Sequence, residues 1–253
     1  MFGEIATVFG HRIVIYGPGG IGKSTLCATA PGPVAFFDLD DRLGLLYPQL
    51  GGRDVRPVNF DGSWMGMLNA LYAPGWDEIR TIVVDTGTRA EELAVAHTLA
   101  TIPTEKDGTA KNVEGYGYGK GYGYVYDTFL SLLSVLNFNH AKHGRHVIIV
   151  CHDCLTTVPN PTGEDWLRYE PRLQSPTSGK ASIRLRMREW ADHVLFLGYD
   201  VAVGKDGKGK GCGTRTLYPQ ELPHCMAKSM TLVDPLPLDR LDGALWKNLI
   251  GEK

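Results

Sequence analysis

Gly17-Pro18-Gly19-Gly20-Ile21-Gly22-Lys23-Ser24 fits the pattern G-x-x-x-x-G-K-S/T at every fixed position, and its reading decides the fold. Glycines let the backbone curl into a nest whose N–H groups point inward at phosphate oxygens. The helix that follows adds its positive amino end to the same spot. Lys23 then reaches the β- and γ-phosphates, while the Ser24 hydroxyl holds Mg²⁺. Thr25 completes the run expected to hold ATP.

The flanks supply the context that this chemistry needs. Arg12-Ile13-Val14-Ile15-Tyr16 reads as a buried strand, and the run from Lys23 to Ala30 as a short helix stopped by Pro31. Strand, loop and helix arrive in the required order. Further along, Pro33 to Phe37 is an apolar strand ending in the acids Asp38, Asp40 and Asp41. Ser63 caps a helix that runs to Tyr72, and Thr81 to Asp85 is a third strand. Helices are expected from Thr88 to Ala100 and from Tyr124 to Lys142, with Gly144 as the stop. His146 to Cys151 is a fourth strand, followed by a long Pro-, Thr- and Gly-containing segment to about Gly179. Ile183 to Ala191 reads as a helix and Val194 to Tyr199 as a fifth strand. A β-hairpin follows, turning at Lys205 to Gly211 and returning along Thr214 to Tyr218; an amphipathic helix covers Asp239 to Ile250. Apolar strands alternating with helices imply an α/β fold, a mainly parallel sheet covered by helices on both faces, with a C-terminal β-hairpin.

Composition narrows the class. At 253 residues and 43% hydrophobic content, the chain can bury one substantial core, and a single domain over 1–253 is expected. A formal net charge of -2 argues against a protein that coats nucleic acid through overall basicity, so any contact with DNA must come from local patches. The start Met1-Phe2-Gly3-Glu4 lacks a secretory signal and no apolar run reaches membrane length, which places the protein in the cytoplasm. Five cysteines without a disulfide-like framework fit a reducing compartment. Cys151 and Cys154 have C-x-x-C spacing, but Cys212 and Cys225 lack the close spacing of a zinc knuckle, which favours ordinary buried thiols.

Around the nucleotide, Asp85 closes an apolar strand where an acid can hold the Mg²⁺ shell. Hydrolysis also needs a group that orients or deprotonates water. Asp40 is the first choice, with Asp38 and Asp41 as alternatives at the same strand end. His152 follows the fourth strand directly, where a polar side chain can touch the γ-phosphate or the attacking water and report hydrolysis to the loop beyond.

The order of these motifs resembles the RecA-like branch of P-loop ATPases, in particular small phage-encoded ATPases linked to single-strand annealing and recombination. The carriers run from Arg12 to Thr25 and include Phe37-Asp38-Leu39-Asp40, Ile82 to Thr86, Gly119 to Tyr122, Val147 to His152 and Arg188 to Asp192. The resemblance implies ATP hydrolysis with Mg²⁺, single-stranded DNA as a partner, a homo-oligomer and, as a further partner, a single-strand DNA-binding protein. It implies that Asp40 stands where relatives carry a water-activating glutamate and that His152 is the γ-phosphate switch. Lys228, in Ala227-Lys228-Ser229-Met230, stands where relatives carry a basic residue that reaches a neighbouring subunit's ATP. DNA-binding loops of this fold correspond to two segments. The first, Lys111 to Tyr126, interleaves Tyr116, Tyr118 and Tyr122 with glycines, beside Lys111 and Lys120. It suits stacking on unpaired bases, or else packing of the tyrosines on the sheet. The second, Thr156 to Ser182, offers Arg168 and Arg172, diluted by Glu164, Asp165 and Glu170. A small-molecule kinase remains the rival, with Arg168 and Arg172 on a lid, as does an ATP-switched module for DNA packaging or partner loading.

Overall fold

Five strands of the chain are almost wholly apolar, and a strand that is apolar on both sides needs cover on both faces. The computed structural model describes residues 10–105, 108–177, 180–203, 209–241 and 243–250. In it, β1 (Arg12–Tyr16) lies in parallel between β5 (His146–Cys151) and β8 (His193–Val203). On the other side of β5 comes β4 (Thr81–Asp85), then β2 (Val34–Asp38) and β3 (Val55–Pro57), all parallel. The strand ending in Asp85 is thus one strand removed from the one that feeds the glycine loop. All of these strands end on the same edge, which gathers the loop, Asp38 to Asp41, Asp85 and His152 along one rim.

Beyond β8 the sheet turns antiparallel through β9 (Gly209–Tyr218) and β11 (Leu236–Pro237), while the short β10 (Lys228–Ser229) pairs with the start of β8. This mainly parallel sheet, covered by helices and carrying its β8–β9 hairpin, is the α/β arrangement expected from the sequence. Of the expected hairpin turn from Lys205 to Gly211, Lys205 to Lys208 lie outside the described residues, as do the start Met1 to Glu4 and Gly179, while Gly209 to Gly211 already belong to β9.

Alternating side chains divide the interior in two. Val14, Tyr16, Phe37, Val84 and Ile149 face a core capped by α3 (Trp64–Tyr72), α4 (Gly87–Thr101), α5 (Lys120–His143) and α6 (Ile183–Trp190). Ile13, Ile15, Phe36, Val83 and Leu195 face the other, under α1 (Lys23–Cys27) and α7 (Ala244–Ile250). Ser63 caps α3 through its side chain, which accepts from the Gly66 N–H, and Gly144 ends α5 in the left-handed conformation.

The structure corrects three expectations. Helix α5 starts at Lys120, not Tyr124, because left-handed Gly119 opens it and Gly121 lies so close to the Val113 carbonyl that a side chain there would clash. Most of the Tyr/Gly segment is therefore helical: a 3-10 turn at Val113–Tyr116 and then the first turns of α5. Second, the segment after His152 is not irregular. It holds an antiparallel hairpin of β6 (Asp153–Val158) and β7 (Trp166–Pro171), whose polar, half-exposed alternation hides the strands from an apolar-run search. Third, α1 ends at Cys27 and α7 begins at Ala244, each shorter than its apolar pattern. Between β2 and β3 the chain adds a one-turn helix, α2 (Leu43–Leu46).

Candidate nucleotide site

Gly17, Gly20 and Gly22 take backbone angles that side chains disfavour, with φ of 154°, 76° and 104°. Gly17 is also pinned by space, since a Cβ would lie 2.1 Å from the Leu197 carbonyl oxygen. These positions curl the loop between β1 and α1 into a concave nest. Lys23, almost fully buried, folds back over it and donates to the carbonyls of Gly17 and Pro18 at 2.7 and 2.8 Å. Burial lowers the Lys23 pKa, against the pull of Asp85 and Asp153. An ammonium held on two carbonyls is well placed to exchange them for phosphate oxygens.

The nest opens on a cleft of about 280 Å³, lined on one side by Gly19, Gly22, Ser24 and Thr25 and on the other by Asp40, Asp85 and His152. Asp85 is buried and hydrogen-bonded to the Ser24 side chain; burial pushes its carboxyl up to about 6, opposed by that bond and reinforced by Asp40. Hydroxyl and carboxylate oxygens side by side are the hard donors that Mg²⁺ prefers, so Ser24 and Asp85 fit this ion as ligands. Such an ion would neutralise charge on the β- and γ-phosphates.

The three acids after β2 separate by role. Asp38 accepts from the backbone N–H groups of Arg42 and Leu43 at 3.0 and 2.7 Å, so it caps α2. Asp41, with φ of 53°, lines a separate cavity beside Phe60 and Arg89. Asp40 alone of the three lines the nucleotide cleft, and its Oδ2 stands 3.6 Å from His152 Nε2. Burial lowers the His152 pKa, followed by Lys23 and Arg172, with Asp40 opposing. The imidazole is therefore neutral at neutral pH, and the pair is polar, not ionic, until a proton arrives. The His152 backbone is held on both sides: its N–H donates to Thr88 Oγ1 at 3.1 Å, and its carbonyl accepts from the Arg172 N–H at 2.8 Å.

Several contacts at the cleft have no local signal in the sequence. Arg215 reaches from β9 to donate to the Ile21 carbonyl at 2.5 Å and lies where a Cβ on Gly22 would touch it. Leu45 and Leu46 add an apolar edge suited to a base to the lining of the cleft, with Gln49 beside them. Only the fold brings these residues to the loop, Arg215 from 194 positions away.

The remaining expected residues scatter. Lys228 pairs across from Val194 near the start of β8, and its nearest charges are Asp192, Arg188 and Arg12. It is therefore at the opposite end of the strands from its own nucleotide loop. Tyr116 is buried and its hydroxyl donates to the Thr98 and Ile102 carbonyls, so its ring cannot stack on a base. Arg168 pairs with Glu170 and Glu221 at 2.7 and 2.6 Å and is mostly buried, which removes it from a DNA surface. Lys111 and Tyr118 are exposed; Lys120 pairs with Glu105, and the Tyr122 hydroxyl donates to Glu114 at 2.7 Å. Arg172 is exposed beside His152. Among the described residues, no cluster of histidines, cysteines and acids could hold a metal by itself. Nor is any described helix long and apolar enough to cross a membrane.

A family model described as an AAA domain matches residues 10–231. No curated protein matches the chain. A KaiC-like protein from the hyperthermophilic archaeon Pyrococcus horikoshii OT3 overlays with a TM-score of 0.45 at 15% identity, over 92% of this chain and 88% of that one. The RadB recombinase overlays with a TM-score of 0.43 at 14% identity, over 83% and 80%.

Proposed function

The chain belongs to the AAA domain family, and on that premise we propose that it binds Mg²⁺-ATP and hydrolyses it as an oligomeric, single-stranded DNA-dependent ATPase of the phage annealing and recombination type, working in the cytoplasm. The observation that carries the hydrolytic part is the meeting of Asp40 and His152 at 3.6 Å across a cleft floored by Lys23, Ser24 and Asp85. In this reading Lys23 and the loop N–H groups bind the phosphates. Asp40 orients and deprotonates the attacking water, and neutral His152 donates toward the γ-phosphate or that water. Loss of the γ-phosphate changes what His152 touches, and its backbone ties to Thr88 and Arg172 pass the change to the segments beyond.

DNA then lies along the rim outside those segments, where Lys111, Tyr118, Lys120, Tyr122 and Arg172 supply cations and aromatic faces. Lys228, remote from its own loop, acts across a subunit contact, and a single-strand DNA-binding protein is the fitting partner. ATP turnover measured with and without single-stranded DNA, in the absence of any acceptor, tests the reading. Stimulation is expected; turnover that requires a small-molecule acceptor would overturn it.

That second outcome is the kinase reading, and one observation favours it. A cavity of about 410 Å³, lined by Asp41, Asn59, Phe60 and Arg89, adjoins the Asp38 to Asp41 turn and could seat an acceptor.

A further inference from the structure

Between the two segments assigned above to DNA lies an open cavity of about 670 Å³, within the range of small-ligand sites. The first segment gives it Lys111, Val113 and Tyr122; the second gives Gln174 and Pro176; α4 closes the floor with Glu91, Val95 and Leu99. The cavity is held together by one side chain. Gln174 donates through Nε2 to the Tyr122 carbonyl at 2.9 Å and to the Ala181 carbonyl at 2.8 Å, while its backbone N–H donates to Glu91 Oε1 at 2.6 Å. Glu91 thus keeps a carboxylate oxygen uncommitted to that bond, on a half-buried side chain that lines the cavity.

Apolar side chains on two walls, a hydrogen-bonding carboxyl at the floor and a lysine match the three parts of a nucleotide, base faces, base edge and phosphate; the second carboxylate of the lining, Glu114, is engaged by the Tyr122 hydroxyl at 2.7 Å. We infer that this cavity receives one unpaired base of the bound strand, and that Glu91 accepts a hydrogen bond from an exocyclic amino group, favouring cytosine or adenine over thymine. At the corresponding edge thymine presents a carbonyl oxygen, which a carboxylate repels. The inference deepens the single-stranded DNA reading and rests on it.

The Glu91 environment is consistent with the role. Burial pushes its carboxyl up to about 7, with the Gln174 N–H and Arg184 opposing and Glu92 adding to the rise. Below that value the protonated carboxyl can donate to the thymine carbonyl, so the preference for cytosine or adenine appears on the alkaline side, where binding is read and the carboxylate only accepts.

Anisotropy of labelled 15-nucleotide oligo-dC, oligo-dT and an abasic tract, in the presence of a non-hydrolysable ATP analogue, tests it. The parent protein should bind both base-bearing tracts more tightly than the abasic one. Its dC-to-dT affinity ratio should fall about tenfold in Glu91→Gln, the size of a single base contact, since the amide can donate to the thymine carbonyl. Val95→Phe, one helical turn from Glu91 on the same floor, narrows the cavity and should bring the ratio toward one as well. No binding of any tract by the parent would overturn the single-stranded DNA reading itself. Equal binding of abasic and base-bearing tracts by the parent, or a ratio unmoved in either folded variant, would overturn the base pocket alone.

Discussion

Asp40 and His152 face each other across the nucleotide cleft, Oδ2 to Nε2 at 3.6 Å, although they leave different strands and are separated by the Asp85 strand. Asp40→Asn keeps shape and removes the base. It should retain ATP affinity and lose turnover by two orders of magnitude or more, in the range for general-base loss. Asp38→Asn is the control. Its two carboxylate oxygens accept from the Arg42 and Leu43 N–H groups, and Asn keeps only one acceptor, so it should lower stability by about 1 kcal/mol with a smaller effect on turnover. Calorimetric ATP binding beside steady-state hydrolysis separates the two; a larger turnover loss in Asp38→Asn would remove Asp40 from its role.

Lys23→Ala should abolish turnover and most nucleotide affinity while leaving the fold in place. Among the described residues Nζ bonds the Gly17 and Pro18 carbonyls of its own loop, and water from the cleft can fill the space that the side chain leaves. Near-parental turnover with a normal circular dichroism spectrum would sink the phosphate-binding assignment.

Arg215 braces the loop from β9 through the Ile21 carbonyl at 2.5 Å. A charged hydrogen bond of this kind contributes about 1.5–3 kcal/mol, and its cation also lies beside the nest. Arg215→Met should therefore weaken binding of a fluorescent ATP analogue by about tenfold or more, without the complete loss expected for Lys23→Ala. Unchanged affinity would mean that the loop holds its shape unaided.

How much of this the sequence could show depends on the range of the interactions. The loop from Gly17 to Ser24 and the five apolar strands were legible because a fixed-spacing motif and uniform burial are written locally. The hairpin from Asp153 to Pro171 was not, because its strands are half exposed and carry Thr, Arg and Glu where a buried strand would carry Val and Ile. In the Gly-Tyr repeat, nothing local distinguishes Tyr116 from Tyr118. What separates them is the reach of one hydroxyl to α4, at Thr98, and the outward left-handed turn at Tyr118, with φ of 49°. Arg168 reads as a free cation until Glu221, 53 residues on, is folded against it.

The contrast between those two tyrosines is itself a test. Tyr116→Ala removes a buried ring and two hydrogen bonds and should cost about 3 kcal/mol in stability, with its DNA effect following from the loss of structure. Tyr118→Ala should change stability by no more than about 0.5 kcal/mol. It should weaken single-strand binding by about 1–3 kcal/mol if its exposed ring stacks on a base. Chemical denaturation paired with anisotropy across a salt series reads both quantities. Tyr118→Ala with parental affinity would take this ring out of the binding surface.

A row of histidines at the opposite end of the sheet sets the pH response of the fold. His11 bridges its neighbours: its backbone N–H donates to His146 Nδ1 at 3.2 Å and its Nδ1 lies 2.9 Å from His193 Nε2. His193 Nδ1 in turn lies 2.8 Å from Ser229 Oγ. Burial, then His11, pushes both His146 and His193 down to about 4, with Asp192 opposing at His193 and Arg80, His140 and Lys228 adding to the depression. Unfolded histidine titrates near pH 6.5. Above that value both rings are neutral in either state and the row adds no pH dependence. Between about 6.5 and 4 the unfolded chain takes up protons that the folded one refuses, so stability falls as pH falls, by at most about 3 kcal/mol per pH unit for two groups. The raised carboxyls of Asp85 and Glu91 run the other way in the same window, since they take up protons on folding. The share of the row is therefore read as a difference: thermal melts from pH 7.5 to 4.5 should show His146→Gln, which keeps an acceptor near the His11 N–H, losing less stability on acidification than the parent protein. Equal losses in the two would show that the row takes up its protons without opening the sheet.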